Sequence, residues 1–254
     1  MLEPLGQSAS ERMTMKLYAP FAFLTLAVLV APSAAQSSLS TYVQGAGSGV
    51  YVCSQTGQAY AKCTGSQSIP DGGVTVVYND SGSAEAGFGT MTGQSYSEIV
   101  VNGEGNTNEP FYNDFASQAT SEDELSILGL NDGEVAYLSG FFSTNFKQAS
   151  VVTTTYEVYL GTSNYTECIV DNNTPPFCRI TLPITYSNGS PVNFSLITQL
   201  LISADSRLAA GAPAGADVIT SVQAIAYANF KVVNSKGQVI SGVTVVGSSG
   251  HIYN

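Results

Sequence analysis

The segment from Asn102 to Asp114, NGEGNTNEPFYND, concentrates side chains that could bind a metal ion. Its oxygen-bearing side chains alternate with Gly103 and Gly105, and glycine permits a sharply turned loop in which such side chains converge. Ca²⁺ takes about six to eight oxygen ligands from flexible loops. The spacing is not that of an EF-hand, and Asn/Gly runs also form plain turns whose side chains bond their own backbone. The candidate ligands are Asn102, Glu104, Asn106, Asn108, Glu109 and Asp114.

Catalytic groups are sparse in this sequence. His251 is the only histidine, and it lies close to a terminus that we expect to fray. No G-x-S-x-G elbow occurs, so a serine-hydrolase site has no support. Paired carboxylates for glycoside hydrolysis are available, but no tryptophan is present to stack on sugars, so Tyr or Phe would have to serve. We predict no catalytic residues; the hydrolase candidates are Glu98, Glu104, Glu109, Asp114 and Glu122 to Glu124.

The four cysteines form two pairs with equal spacing. Cys53 and Cys63 are ten residues apart, as are Cys168 and Cys178, and turn residues lie within each interval. In an exported chain this pattern predicts two local disulfides, each joining the ends of a hairpin or loop. A metal site is the alternative, but no further Cys or His lies at ligand spacing.

The charge balance limits the possible partners. The net charge is −11. All of it belongs to residues 36–254, because the two acids and two cations of the apolar N-terminal segment over residues 1–35 cancel. Nucleic acid and anionic membranes are therefore poor partners for such a surface, and we predict no nucleic-acid binding. Twelve carboxylates lie between Asp71 and Glu134, whereas no cation lies between Lys62 and Lys147. This stretch indicates either a divalent cation site or a solvated acidic face that keeps the protein soluble.

Alternation of apolar and polar residues dominates from residue 36 onward and is typical of half-buried strands. In one run, Val192, Phe194 and Leu196 alternate with Asn193 and Ser195. The segment TSEDELSILG could begin a helix with a capping box, but the alternation around it favours a strand. We predict an all-β fold, an antiparallel, jelly-roll-like β-sandwich of about twelve strands.

The first 35 residues have the features of a signal peptide. Lys16 precedes an apolar run over residues 17–30, and the small residues Pro32 to Ala35 suit cleavage before Gln36. The run is too short for a bilayer span, and no later stretch reaches the ~20 apolar residues that a span requires. We therefore predict a signal peptide over residues 1–35 and one secreted domain over residues 36–254, with no transmembrane anchor.

Four stretches carry a resemblance to a known family. They are SGSAEAGFGTMTG at residues 81–93, ASQATSEDELSILGLNDGEVAYLSGFF at residues 116–142, PVNFSLITQLLISADSRLAAG at residues 191–211 and VQAIAYANFKVVNSKGQVISGVTVVGSSGHIY at residues 222–253. Together they resemble exported bacterial β-sandwich proteins with the PEP-CTERM sorting signal. The closing pattern is carried by Asn234, Gly237, Gly247, Ser249, Gly250 and Tyr253. The resemblance implies a role at the bacterial surface or in its matrix, with no common catalytic site. It would also call for a sorting tail after Tyr253, where only Asn254 follows, so we expect either a released variant or a truncated gene.

These observations predict a secreted, non-enzymatic protein of the bacterial cell surface or extracellular matrix. Its expected partners are extracellular polysaccharide or other matrix proteins. The alternative is a calcium-assisted, lectin-like carbohydrate-binding module, and the third possibility is a glycoside hydrolase. We also expect residues 230–246 to form a core hairpin, and removal of residues 250–254 to cost little stability.

Overall fold

The structure is a computed structural model that describes residues 37–147, 151–160, 164–171 and 173–253. The predicted signal peptide and its cleavage site before Gln36 lie outside the described residues. The described chain is built from fifteen strands. These are β1 (Ser38–Gly47), β2 (Val50–Gly57), β3 (Tyr60–Asp71), β4 (Val74–Ala86), β5 (Thr90–Gly103), β6 (Phe111–Leu128), β7 (Tyr137–Lys147), β8 (Val151–Leu160), β9 (Asn164–Asp171), β10 (Phe177–Pro183), β11 (Tyr186–Ser187), β12 (Ser190–Pro191), β13 (Phe194–Leu208), β14 (Asp217–Val233) and β15 (Thr244–Gly247).

Two antiparallel sheets form the two layers of a β-sandwich, which confirms the predicted fold class. Sheet A has the strand order β2-β1-β6-β13-β8-β9, and the short strand β15 pairs with β6. Sheet B has the order β10-β7-β14-β5-β4-β3. Strands β11 and β12, each two residues long, form a separate antiparallel hairpin. The two layers therefore contain thirteen of the described strands, close to the number that the alternation predicts.

The two layers run in matching order, so each strand has a counterpart in the opposite sheet. Contacts join β1 to β4, β6 to β5 and β13 to β14 in the middle, and β2 to β3 and β9 to β10 at the two sides. The chain therefore passes from one sheet to the other at both sides of the sandwich.

Local sequence explains why these segments are strands. In β13, Phe194, Leu196 and Leu200 are buried while Ser195 points to solvent, as the alternation predicts. The acidic segment over residues 120–129 is likewise extended and belongs mainly to β6, so the strand interpretation is correct and the helical alternative is wrong. Packing against sheet B buries the inward face of both strands.

The apolar core between the sheets is divided by a layer of polar side chains. The larger part surrounds Phe115, Phe142 and Phe230, and the smaller part surrounds Tyr78 and Phe111. On β4, β5, β6, β13 and β14, a polar inward residue lies between members of the two parts. The members of this polar layer are Asp80, Ser95, Ser97, Asn113, Ser117, Ser206 and Thr220.

Candidate functional site

Both predicted disulfides are present, and each spans the connection between two consecutive strands, which agrees with the loop alternative and not with the hairpin. Cys53 in β2 is bonded to Cys63 in β3, with Cα atoms 6.1 Å apart. Cys168 in β9 is bonded to Cys178 in β10, with Cα atoms 6.3 Å apart. Because β2 and β9 belong to sheet A and β3 and β10 to sheet B, neither bond closes a hairpin. The disulfides instead join the two sheets, one at each side of the sandwich.

The predicted calcium loop follows β5 and is held by protein groups. Both oxygens of Asp71 accept hydrogen bonds from Asn108, at 2.6 Å from the backbone N and 3.1 Å from Nδ2. The buried Thr107 exchanges backbone hydrogen bonds with Ala212 and Gly211 in the loop after β13. These contacts hold the loop against the β13–β14 connection at one end of the sandwich.

The candidate calcium ligands lie in three different elements. Asn102 is exposed at the end of β5, and Glu104, Asn106, Asn108 and Glu109 are exposed in the loop that follows it. Asp114 lies on β6 instead, where its carboxylate accepts a hydrogen bond from Ser203 on β13. Within the described ranges, no three His, Cys, Asp or Glu side chains are grouped closely enough to hold a metal ion. Calcium binding at this loop stays a prediction.

The carboxylates considered for glycoside hydrolysis are distributed over both sheets. Glu98 accepts a 2.6 Å hydrogen bond from Asn79 on the outer face of sheet B. Glu122 and Glu124 point outward from sheet A, whereas Asp123 between them points into the core. The run Glu122 to Glu124 is therefore divided between the two faces of a strand.

Asp80 is the acidic member of the polar layer, and its side chain is buried, at 1% exposure. Its Oδ1 accepts a 2.7 Å hydrogen bond from Nδ2 of Asn113, which also donates to the carbonyl of Glu98 at 3.1 Å. Among the described residues, Asp80 Oδ2 and Asn113 Oδ1 have no hydrogen-bond partner. Two acceptor oxygens on paired side chains are thus left unsatisfied when the carboxyl group is ionised.

Burial raises the pKa of Asp80 to about 7, against the opposing effect of the hydrogen bond from Asn113. The carboxyl group is therefore largely neutral in mildly acidic solution. A neutral carboxylic acid places no unpaired charge in this buried layer and has an O–H group that can donate. Gly45 on the opposite sheet makes room for this side chain, because a Cβ there would lie 2.2 Å from Asp80 Oδ2.

Asp123 is the second buried aspartate, and it is fully surrounded by donors. Its Oδ1 accepts hydrogen bonds from Ser248 Oγ at 3.0 Å and Ser249 N at 3.1 Å. Its Oδ2 accepts hydrogen bonds from Ser249 Oγ at 2.6 Å and Tyr253 OH at 2.9 Å. A Cβ at Gly247 would lie 1.9 Å from that same Oδ2. The Gly-Ser-Ser-Gly motif near the end of the sequence therefore forms a socket for one carboxylate.

The residues around Tyr253 connect both sheets, so the expected fraying of this segment is wrong. Tyr253 N donates to the carbonyl of Val245 in β15, and its own carbonyl accepts a hydrogen bond from Phe230 in β14. Its ring packs edge-on against Phe230, and the His251 ring packs edge-on against Tyr253. Nε2 of His251 lies against Gly89. The imidazole therefore serves in packing at the end of the sandwich.

The burial of Asp80 and Asp123 was not predicted: Asp123 was considered only within the hydrolase run Glu122 to Glu124, although a sequence signal for both buried acids is present. Asp80 follows Val74, Val76 and Tyr78 at the inward positions of β4, and Asp123 precedes Leu125 in the same way on β6. A carboxylate at an inward position of an alternating strand indicates a buried acid. Its hydrogen-bond donors cannot be identified this way, because they come from distant segments.

Comparisons with known proteins give no assignment. No family model matches the chain, and no significant similarity to a curated protein was found.

Proposed function

We propose that this chain is an exported, non-enzymatic protein of the bacterial cell surface or extracellular matrix. The observation that supports this proposal most is the pair of disulfides joining the two sheets at opposite sides of the sandwich. Disulfides form and persist in oxidising compartments, outside the reducing cytosol. In the described residues, no helix is long and apolar enough to cross a bilayer.

The outer face of sheet A supports an extracellular, soluble role. Its carboxylates include Glu157 and Glu167, which lie directly opposite each other on β8 and β9. Asp114 and Asp205 are likewise opposite each other on β6 and β13, although Asp205 forms a 2.8 Å ion pair with Arg207. Opposed like charges weaken strand pairing slightly but keep the face hydrated and discourage non-specific association.

Localisation and disulfide state test the proposal together. The protein should be found at the cell surface or in the medium of the organism that encodes it. Non-reducing peptide mapping should show Cys53 linked to Cys63 and Cys168 linked to Cys178. Retention in the cytosol with four reduced thiols would contradict export, and a Cys53–Cys168 link would contradict the fold.

The non-enzymatic part of the proposal requires a separate test. Purified protein should release no sugar from a panel of plant and bacterial polysaccharides over a prolonged incubation. Glu122→Gln and Glu98→Gln serve as matched variants, because each changes an outward carboxylate on a different sheet. Hydrolysis that either substitution abolishes would show that the chain is a glycosidase.

A further inference from the structure

One half of the outer face of sheet B carries exposed aromatic side chains. This region consists of the outward residues of β10, β7 and β14, and we refer to it as the aromatic patch. Phe141 is 39% exposed, Phe177 48% and Tyr227 38%. Each belongs to a different one of the three strands. Large apolar side chains grouped on an open sheet face mark a binding surface more often than isolated ones do.

Strand register brings these side chains together. Arg179 on β10 and Asn229 on β14 lie directly opposite Phe141 on β7. Phe177 and Tyr227 lie in the same way opposite Ser143, two residues further along β7. The Phe141 and Phe177 rings have centroids 6.0 Å apart and are inclined by 28°. The guanidinium carbon of Arg179 lies 5.5 Å from the Phe141 centroid. The patch thus combines neighbouring ring faces with a fixed cation and a side-chain amide.

The charge of the patch is opposite to that of the rest of the chain. Lys147, Arg179 and Lys231 lie on it, half of the Lys and Arg residues found after residue 35. Asp217 is the only carboxylate among the described outward residues of these strands, and it lies ten residues from Tyr227 at the far end of β14. In a chain of net charge −11, this local excess of cations favours a ligand that carries carboxylates.

We propose that the aromatic patch binds an acidic polysaccharide of low charge density, with a sugar ring on Phe177 and a carboxylate at Arg179, whose guanidinium lies over the Phe141 ring. Aromatic faces provide large apolar contact area at low entropic cost, and the planar guanidinium matches a carboxylate in a bidentate manner. The side-chain amide of Asn229 can both donate to and accept from sugar hydroxyls. Lys231 lies on the neighbouring strand β14, opposite Ser139, and attracts a second acidic sugar.

Other anionic partners fit this surface less well. Nucleic acid brings a charge at every phosphate and would be repelled by the remaining acidic surface. A second copy of the chain carries the same net charge of −11, so the two acidic chains would repel each other, and the three cations of the patch do not offset that charge. A glycan in which neutral and acidic sugars alternate brings few charges and many ring faces. The choice of a glycan rests on the proposed extracellular role, whereas the position of the site does not.

Binding of a defined oligosaccharide tests the inference. The probe is a hyaluronan octasaccharide, in which neutral and uronic-acid sugars alternate, titrated by calorimetry in the presence of EDTA. A neutral malto-octaose should bind at least about tenfold more weakly, because it lacks the carboxylate that Arg179 pairs with. The double variant Phe177→Ala with Arg179→Ala should weaken hyaluronan binding by more than about tenfold.

The opposite edge of sheet B provides a matched control. Tyr60 and Lys62 on β3 have the same spacing as Phe177 and Arg179 on β10, but Glu85 lies opposite Tyr60. Tyr60→Ala with Lys62→Ala should leave binding unchanged and show that an aromatic–cation pair at a sheet edge is not enough. Circular dichroism should show that both double variants stay folded, since all four side chains are exposed.

Several outcomes would overturn the proposal. These are absence of hyaluronan binding in EDTA, malto-octaose binding as tight as hyaluronan binding, and equal loss in the two double variants. Sedimentation showing salt-sensitive self-association that only the Phe177/Arg179 variant abolishes would instead identify a second copy as the occupant. All measurements use purified protein, so a negative result would leave the test of export unaffected, and mislocalisation would leave the binding result unaffected.

Discussion

Asp123 and Asp80 are both buried between the sheets, yet their surroundings differ. Asp123 accepts four hydrogen bonds from the segment containing Ser248, Ser249 and Tyr253. Asp80 accepts one, from Asn113. Both carboxylates lie against a glycine of another strand, Gly247 and Gly45 respectively. The difference shows that burial alone does not decide the role of an acid, because the number of donors decides whether its charge is stabilised.

The two sites consequently contribute to stability in different ways. The donors around Asp123 make it an anchor for the last described segment of the chain. Asp80 has too few donors for its charge, so the neutral form is favoured and the stability of the fold depends on pH.

Removal of residues 250–254 should lower the free energy of unfolding by at least about 4 kcal/mol, measured by urea denaturation at pH 7. The deletion removes the buried Tyr253 ring, and loss of a large core side chain alone costs roughly 3 to 5 kcal/mol. It also removes a donor from Asp123. A truncated protein as stable as the full chain would support the sequence-based expectation of a small cost.

Asp80→Asn should stabilise the protein in alkaline solution and have little effect in acid. The pKa of Asp80 rises from 3.8 to about 7 on folding, so the native state binds the extra proton between these values. Wild-type stability contributed by this group is therefore complete below about pH 4 and falls as pH rises to about 7. The difference between the two pKa values corresponds to roughly 4 kcal/mol of unfolding free energy, and Asp80→Asn should restore this stability at pH 8.

Denaturation curves of both proteins from pH 4 to pH 8 check this prediction. Asp114→Asn is the matched control, because burial also raises the pKa of Asp114, and Asp205 raises it further. The pH profile of Asp114→Asn shows how much of the pH dependence of stability comes from Asp114 and how much from Asp80. Parallel pH profiles for wild type and Asp80→Asn would show that Asp80 is not the group responsible.

Alanine at either supporting glycine should destabilise the protein by about 1 to 3 kcal/mol, the usual cost of overpacking a core. The new Cβ would lie 2.2 Å from Asp80 Oδ2 in Gly45→Ala and 1.9 Å from Asp123 Oδ2 in Gly247→Ala. Adding Asp80→Ser should relieve part of the first defect and none of the second. Additive losses in Gly45→Ala with Asp80→Ser would indicate that the two residues do not share space.

Tyr253→Phe should have the smallest effect, about 1 to 2 kcal/mol. The ring and its packing on Phe230 remain, while Asp123 loses one of its four donors. The loss of one hydrogen bond to a charged group is worth roughly this amount. Thermal melts of Tyr253→Phe beside the truncated protein would separate the hydroxyl from the rest of the segment, and equal losses would assign the whole effect to the hydroxyl.

Much of the fold could be predicted from local sequence. Alternation alone predicts β13 and β14 and places Val222, Ala224 and Phe230 in the core, because a residue's face in a strand depends only on its parity. Of the expected hairpin over residues 230–246, only an isolated bridge between Val233 and Val239 pairs with β14, and β15 pairs with β6 instead. Partner choice between strands was therefore beyond the reach of the pattern.

The candidate sites show the same limit. Ten-residue spacing predicts which cysteines pair, since a short loop closes readily, but not that each bond joins two sheets. Most of the candidate calcium segment is a loop, as its composition indicates, whereas Asn102 belongs to β5 and Asp114 belongs to β6 and bonds to Ser203.

By itself, the sequence determined the class of the fold, the inward and outward faces of its strands and the cysteine pairs, because these depend on residues close together in the chain. Only the tertiary structure decided which groups meet. Asp123 and Tyr253 are separated by 130 residues and Asp80 and Asn113 by 33. The aromatic patch likewise combines β7, β10 and β14, whose order in the sheet follows from packing of the whole core. Contacts of this kind require the relative positions of strands, which the alternation of one strand does not specify.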